Sequence, residues 1–254
     1  MWALDETALD VVQRTWYDHH FMSKIDVVDA MFPDGIKSRS VVEVYGDAQS
    51  PKSLLLQHLC AAYLVRDRRT QVYYFDHECM VDATEMREIV QAMMVTSEEG
   101  GENDLDAALQ RLFVYHVETS DAWSMELKNI HTKLLTESGV VPIIAIDCIG
   151  SFNAIDRMIQ NRLQDTSYRK PINVYNQLKD LVRKHSASVF AAKNNDTERG
   201  WKHVETMSSD WSNQVTKRLH VRLAQSAPFP TYEVKADSTT VAFRASMLGL
   251  HVIS

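Results

Sequence analysis

Gly46, Lys52 and Ser53 stand at the spacing of a phosphate-binding loop. In the pattern G-x-x-x-x-G-K-[ST], backbone N–H groups cradle phosphates, the lysine reaches the outer phosphates and the hydroxyl faces Mg²⁺. The segment Val41-Val42-Glu43-Val44-Tyr45-Gly46-Asp47-Ala48-Gln49-Ser50-Pro51-Lys52-Ser53 supplies a strand, such a loop and a helix start, with Pro51 in the second glycine position. Further along, Ile144-Ala145-Ile146-Asp147 is an apolar strand closed by an aspartate. A carboxylate there can help hold Mg²⁺ beside the loop hydroxyl. Glu78, after the apolar run Gln71–Asp76, can polarise an attacking water. The chemistry implied is ATP and Mg²⁺ binding, with Gly46, Lys52, Ser53 and Asp147 as ligands and Glu78 as the catalytic group.

Pro51 opposes that chemistry. The loop works because successive backbone N–H groups point at phosphate oxygens. Proline removes one donor, fixes φ near −65° and pushes Ser50 away from the helical region. A lost hydrogen bond to a charged group costs about 1.5–3 kcal/mol, roughly 10- to 150-fold in affinity. Lys52 and Ser53 can still engage nucleotide, so the expectation is weak binding and weak or absent hydrolysis.

Alternating elements must position these residues. Val41–Tyr45 reads as a strand and Ser53–Val65 as a helix; Gln71–Asp76 is a second strand. Asp82-Ala83-Thr84-Glu85 has capping-box spacing and opens a helix to Met94. The acidic stretch Ser97–Asp106 reads as a loop, Leu112–His116 as a strand, and Ser120 as the cap of a helix running to Glu137. Ile143–Asp147, with Pro142 at its edge, is the next strand; Val174–His185 is a helix and Ser188–Ala192 a strand. Strands at 216–223, 231–236 and 240–245 follow. Near-continuous apolar strands alternating with helices give an α/β fold, a mostly parallel sheet covered on both faces. The late strands extend it antiparallel. Ligands then bind outside the carboxyl ends of the strands, where Gly46, Asp76-His77-Glu78 and Asp147 lie.

Composition bounds the function. A chain of 254 residues suits one large domain, here a helix and linker over 1–34 and an α/β domain over 35–254. A net charge of −7 opposes a broad nucleic-acid footprint, although local basic patches remain available. Cys60, Cys79 and Cys148 form no C-x-x-C pair and read as reduced thiols, Cys79 and Cys148 at the ends of apolar runs. No apolar run reaches membrane-spanning length, and Met1–Asp10 carries acids rather than a secretory signal.

The motifs, taken in order, resemble RecA-type recombinases. Gly35-Ile36-Lys37-Ser38-Arg39-Ser40-Val41-Val42-Glu43-Val44-Tyr45-Gly46 resembles the "GGI-x-x-G-x-ITE-x-x-G" approach to that family's ATPase core. Phe75-Asp76-His77-Glu78 is similar to the "ID-[TA]-E" that supplies its catalytic glutamate, and Ile144–Ile149 to its "h-h-h-DS-h". Val189-Phe190-Ala191-Ala192-Lys193-Asn194-Asn195 resembles the strand ending in "TNQ", and Trp211 with Thr216-Lys217-Arg218-Leu219 its "W…TRL". The resemblance covers about residues 30–250. Only a helix (Thr7–His19) and a linker precede Gly35, without a Phe-x-x-Ala self-assembly signal. That is typical of recombinase paralogues, in particular the X-ray-repair cross-complementing branch that lacks the N-terminal domain.

The resemblance implies a RecA-like fold, a nuclear location and heterodimerisation with another recombinase paralogue. It also implies a role with the recombinase filament on single-stranded DNA in homologous recombination repair. In such assemblies the ATP site lies between subunits, so a degenerate loop can persist as a protein-binding face. Two loops would face DNA: 150–172, with Arg157, Arg162, Arg169 and Lys170, and 194–210, with Arg199 and Lys202. Arginine near an aromatic suits single strands, but the few excess charges imply weak, salt-sensitive binding by this chain alone. Two alternatives are an independent DNA-stimulated P-loop ATPase and a RecA-fold regulator unrelated to repair.

Other conspicuous residues have ordinary readings. His19-His20 lacks a third metal ligand. Arg66-Asp67-Arg68-Arg69 complements a helix dipole. Met86, Met93 and Met94 fall at helical spacing and read as packing residues.

Overall fold

The computed structural model describes residues 20–97, 102–162, 173–194, 207–226 and 228–253, except the side chains at 97, 102, 103, 157 and 159–162. The described chain begins with β1 (His20–Phe21), α1 (Asp26–Met31) and β2 (Ile36–Lys37), then β3 (Val41–Gly46) and α2 (Lys52–Arg66). Next come β4 (Thr70–Asp76), α3 (Ala83–Ser97), α4 (Glu102–Leu109), β5 (Leu112–His116), α5 (Ser120–Thr136) and β6 (Val141–Asp147). After α6 (Asn153–Arg162), α7 (Val174–His185), β7 (Ser188–Asn194) and α8 (Ser209–Ser212), four strands close the fold. They are β8 (Lys217–Gln225), β9 (Thr231–Ala236), β10 (Thr239–Ser246) and β11 (Gly249–Val252).

β1 and β2 form a small antiparallel pair, and the remaining nine strands form one sheet in the order β11-β10-β9-β8-β3-β7-β6-β4-β5. From β8 to β5 every neighbouring pair is parallel, whereas β8–β9, β9–β10 and β10–β11 are antiparallel. The chain is therefore α/β with a mostly parallel sheet and antiparallel C-terminal strands. β7 and β6 separate β3 from β4, so the order is not that of a dinucleotide-binding sheet, whose first two strands are adjacent.

Alternation along each strand explains why both faces are covered. On β3, Val42 and Val44 join one core cluster with Leu55, Leu56 and Leu59 of α2 and Met86, Ile89 and Val90 of α3. Val41 joins the other cluster, with Trp123, Leu127 and Ile130 of α5 and Leu178 and Leu181 of α7. β6 splits the same way: Ile143 and Ala145 face α2, Ile144 and Ile146 face α5 and α7. Burial on both faces is what makes these strands continuously apolar. Met86, Met93 and Met94 are buried in the first cluster, as their spacing implied.

Several elements differ from their sequence reading. Part of the acidic stretch expected to be a loop is α4, where Leu105 and Ala108 bury one face. α5 is capped by Thr119, whose side chain accepts from Ala122 N, while Ser120 Oγ donates to Asp156 Oδ2 at 2.6 Å. Pro142 lies inside β6, near its beginning, rather than before it. The helix α6 and strand β11 had no clear sequence signal, both being short. The described part of the expected linker packs onto the core: Val27, Val28 and Met31 of α1 belong to the first cluster. The expected helix Thr7–His19 lies outside the described residues. No helix among the described residues is long and apolar enough to cross a membrane.

Candidate phosphate-binding site

The loop joins the C-terminal end of β3 to α2 in the middle of the sheet. Gly46 is needed there because a Cβ would stand 1.9 Å from Val221 O of the neighbouring strand β8. Only a residue without a side chain lets the two backbones approach so closely. At the other end Pro51 has φ −80° and ψ 49°, and Lys52 N donates to Ser50 O at 2.8 Å. These are the dihedrals and the i→i+2 hydrogen bond of an inverse γ-turn.

That turn closes the loop on itself. Three donors converge on the Asp47 carbonyl: Ser50 N at 3.2 Å, Ser50 Oγ at 2.8 Å and the Lys52 ammonium. Lys52 Nζ also donates to Ser50 Oγ at 3.1 Å. Lys52 is only 5 % exposed, and burial lowers its pKa, against the opposing pull of Asp47 and Asp147. A triphosphate cradle needs consecutive outward N–H groups. Here Ser50 N–H and Lys52 N–H are spent inside the loop, and Pro51 has none. Positions 50–52 therefore offer a triphosphate no free backbone N–H.

The metal side of the site has a different character. Ser53 Oγ donates to Asp147 Oδ1 at 2.9 Å, and Tyr74 OH donates to Asp147 Oδ2 at 3.1 Å. Hydroxyl and carboxylate oxygens are the ligands Mg²⁺ takes. Burial raises the pKa of Asp147, while the bonds from Ser53 and Tyr74 pull it back. The structure brings Ser53 and Asp147 together, and adds Tyr74, which the sequence reading did not name.

Glu78 follows β4 as an exposed residue, beside Cys148 at the end of β6. Burial, then a hydrogen bond with Glu78, pushes the Cys148 thiol up to about 11. Asp76, fully buried, accepts from Met80 N at 3.1 Å and Val81 N at 2.8 Å and pairs with His116 at 3.4 Å. This fixes the turn that presents Glu78. His77 packs against Trp123 and Phe152, with Nδ1 bonded to Cys148 O at 3.2 Å, and burial lowers its pKa to about 4. All three cysteines are free thiols; Cys60 and Cys148 are buried and Cys79 is exposed.

No family model and no curated protein matches this chain.

Of the expected DNA-facing residues, Arg157 and Arg162 lie on α6 with side chains outside the described set. Arg169, Lys170, Arg199 and Lys202 lie outside the described residues. Two polar features were not anticipated. Glu43, fully buried on β3, accepts Trp211 Nε1 at 2.6 Å and pairs with Lys193 at 3.4 Å and Arg218 at 3.2 Å. A carboxylate in an otherwise apolar strand was the available signal. A cavity of ≈ 460 Å³ lined by Tyr45, Arg218, His220 and Lys235 lies on the sheet face opposite α2.

Proposed function

We propose that this chain is a RecA-type recombinase paralogue that serves as an accessory subunit. It pairs with a second paralogue and assists the recombinase filament on single-stranded DNA during homologous recombination in the nucleus. The observation that carries the reading is the self-bonded phosphate loop. Its position between strand and helix is that of a nucleotide-binding motif, yet the N–H groups of Ser50 and Lys52 are spent internally and Pro51 has none. A fold retained with such a loop suits assembly better than turnover.

Two further features support the RecA-like part. The loop-bearing strand β3 lies inside the sheet, between β7 and β8, and the late strands extend it antiparallel. The motif residues fall where a ligand site would need them: Glu78 follows β4, Asp147 ends β6 and Asn194 ends β7. Crosslinking in cells followed by purification of this chain tests the partnership. Recovery of a second paralogue or of the recombinase is expected; recovery of neither contradicts the proposal.

The second reading is a DNA-stimulated P-loop ATPase. The Ser53–Asp147 hydrogen bond favours it, because it keeps both Mg²⁺-type ligands together. Measurable DNA-stimulated hydrolysis by the isolated chain, abolished by Glu78→Gln, would establish that reading instead.

A further inference from the structure

His131 and His185 meet on the face of the molecule formed by α5 and α7. His131 follows the buried Leu127 and Ile130, at the margin of the apolar stripe of α5. His185 is the last residue of α7, where Ser186 adopts the left-handed conformation at φ 55° and ends the helix. Arg39 holds that turn, donating from Nε and Nη2 to Ser186 Oγ at 3.2 and 3.1 Å. Two separately anchored elements therefore bring the rings together. Nδ1 of His131 lies 2.7 Å from Nε2 of His185, with ring centroids 4.8 Å apart and planes at 68°.

We propose that His131 and His185 form a binding site for a borderline-soft divalent cation, Zn²⁺, Cu²⁺ or Ni²⁺, that clips α5 to α7. Imidazole nitrogen suits these ions, whereas Mg²⁺ and Ca²⁺ require oxygen ligands. The site is thus chemically distinct from Ser53 and Asp147. In this contact one ring donates its N–H to the lone pair of the other, the tautomer deciding which. When that proton shifts to the far nitrogen of its own ring, both lone pairs converge and no proton leaves the pair.

Geometry allows the ion with a small adjustment. Zn–N bonds of about 2.0–2.1 Å in a tetrahedral arrangement separate two ligand nitrogens by roughly 3.3 Å. The rings must open from 2.7 Å, a displacement divided between two side chains at the helix surface. Both histidines are half-buried, so water can reach the remaining coordination positions. No group of three histidine, cysteine or acidic ligands occurs among the described residues, so water completes the shell.

The test uses the untagged full-length chain, freed of metal by a chelator, because a histidine tag would compete. Calorimetric titration with ZnCl₂ should show one site per chain, weakened at least tenfold by His131→Asn and by His185→Asn. His251→Asn, on β11, should leave that site unchanged. Saturating Zn²⁺ should raise the melting temperature of the parent chain and not of the double variant, because an ion that binds only the folded state stabilises it. Cu²⁺ bound to the parent chain should show two coordinated imidazole nitrogens in its EPR spectrum, a readout that does not depend on a variant folding. An isotherm unaltered by His131→Asn, a Cu²⁺ spectrum lacking the two-nitrogen pattern, or no binding of any of the three ions would overturn the proposal.

Discussion

At the scale of single residues, burial and hydrogen bonding decide what each polar group can do. Lys52 is the clearest case, because its ammonium and its amide are both turned into the loop by the geometry Pro51 allows. Glu43 is the opposite kind of case, a carboxylate buried among partners that ties β3 to β7, β8 and Trp211. Replacing a buried charge leaves its partners uncompensated, which costs about 3–5 kcal/mol. Glu43→Gln should therefore lower the urea midpoint of unfolding by a corresponding amount, whereas Glu85→Gln on the exposed surface should barely shift it. His77 sets a pH dependence. Its folded pKa of about 4 lies below the ordinary value of 6.5, so the unfolded chain takes up a proton first as pH falls. Its contribution to stability is intact above pH 6.5 and is lost progressively toward pH 4. The loss is on the order of 3 kcal/mol. Urea titrations at pH 7.5, 6 and 5 should show the decline, and His77→Phe should flatten it.

At the scale of elements, the sheet rests on two helical layers that share the strands between them. α7 shows how closely a pattern can specify an element. Val174, Tyr175, Leu178 and Leu181 fall on one face, Asn173 caps the start and a left-handed Ser186 ends it. The sequence reading placed this helix at its observed limits. Leu178 is fully buried against the sheet, so Leu178→Ala should destabilise by about 2–5 kcal/mol in equilibrium unfolding. The parallel strands were equally legible, because their apolar runs end in polar residues at the sheet edge. α4 was not legible: its acidic residues describe a solvated face, and only Leu105 and Ala108 mark the buried one. Ser120 and Thr119 both had capping chemistry, and only the approach of α6 assigned Ser120 to Asp156. Within the site, spacing brought out Gly46, Ser53 and Asp147, but Tyr74 reaches Asp147 across two neighbouring strands. No local pattern carries that contact.

At the scale of the whole molecule, a mostly parallel α/β sheet carries, in its middle, a strand–helix loop that bonds part of its own backbone. Lys52 starts the helix after β3, and Glu78, Asp147 and Asn194 lie at or just past the carboxyl ends of β4, β6 and β7, which neighbour β3 in the order β3-β7-β6-β4. On the proposed function, the two backbone donors at Ser50 and Lys52, and the one that Pro51 lacks, would separate turnover from assembly. The net charge of −7 opposes tight DNA binding by this chain alone. The most direct measurement is calorimetric titration of Mg·ATP into the isolated chain and into Pro51→Gly. The account predicts little or no binding by the parent chain and a gain of roughly 10- to 150-fold in the variant, the value of a restored hydrogen bond to a charged group. Tight binding by the parent chain, unchanged in Pro51→Gly, would contradict it.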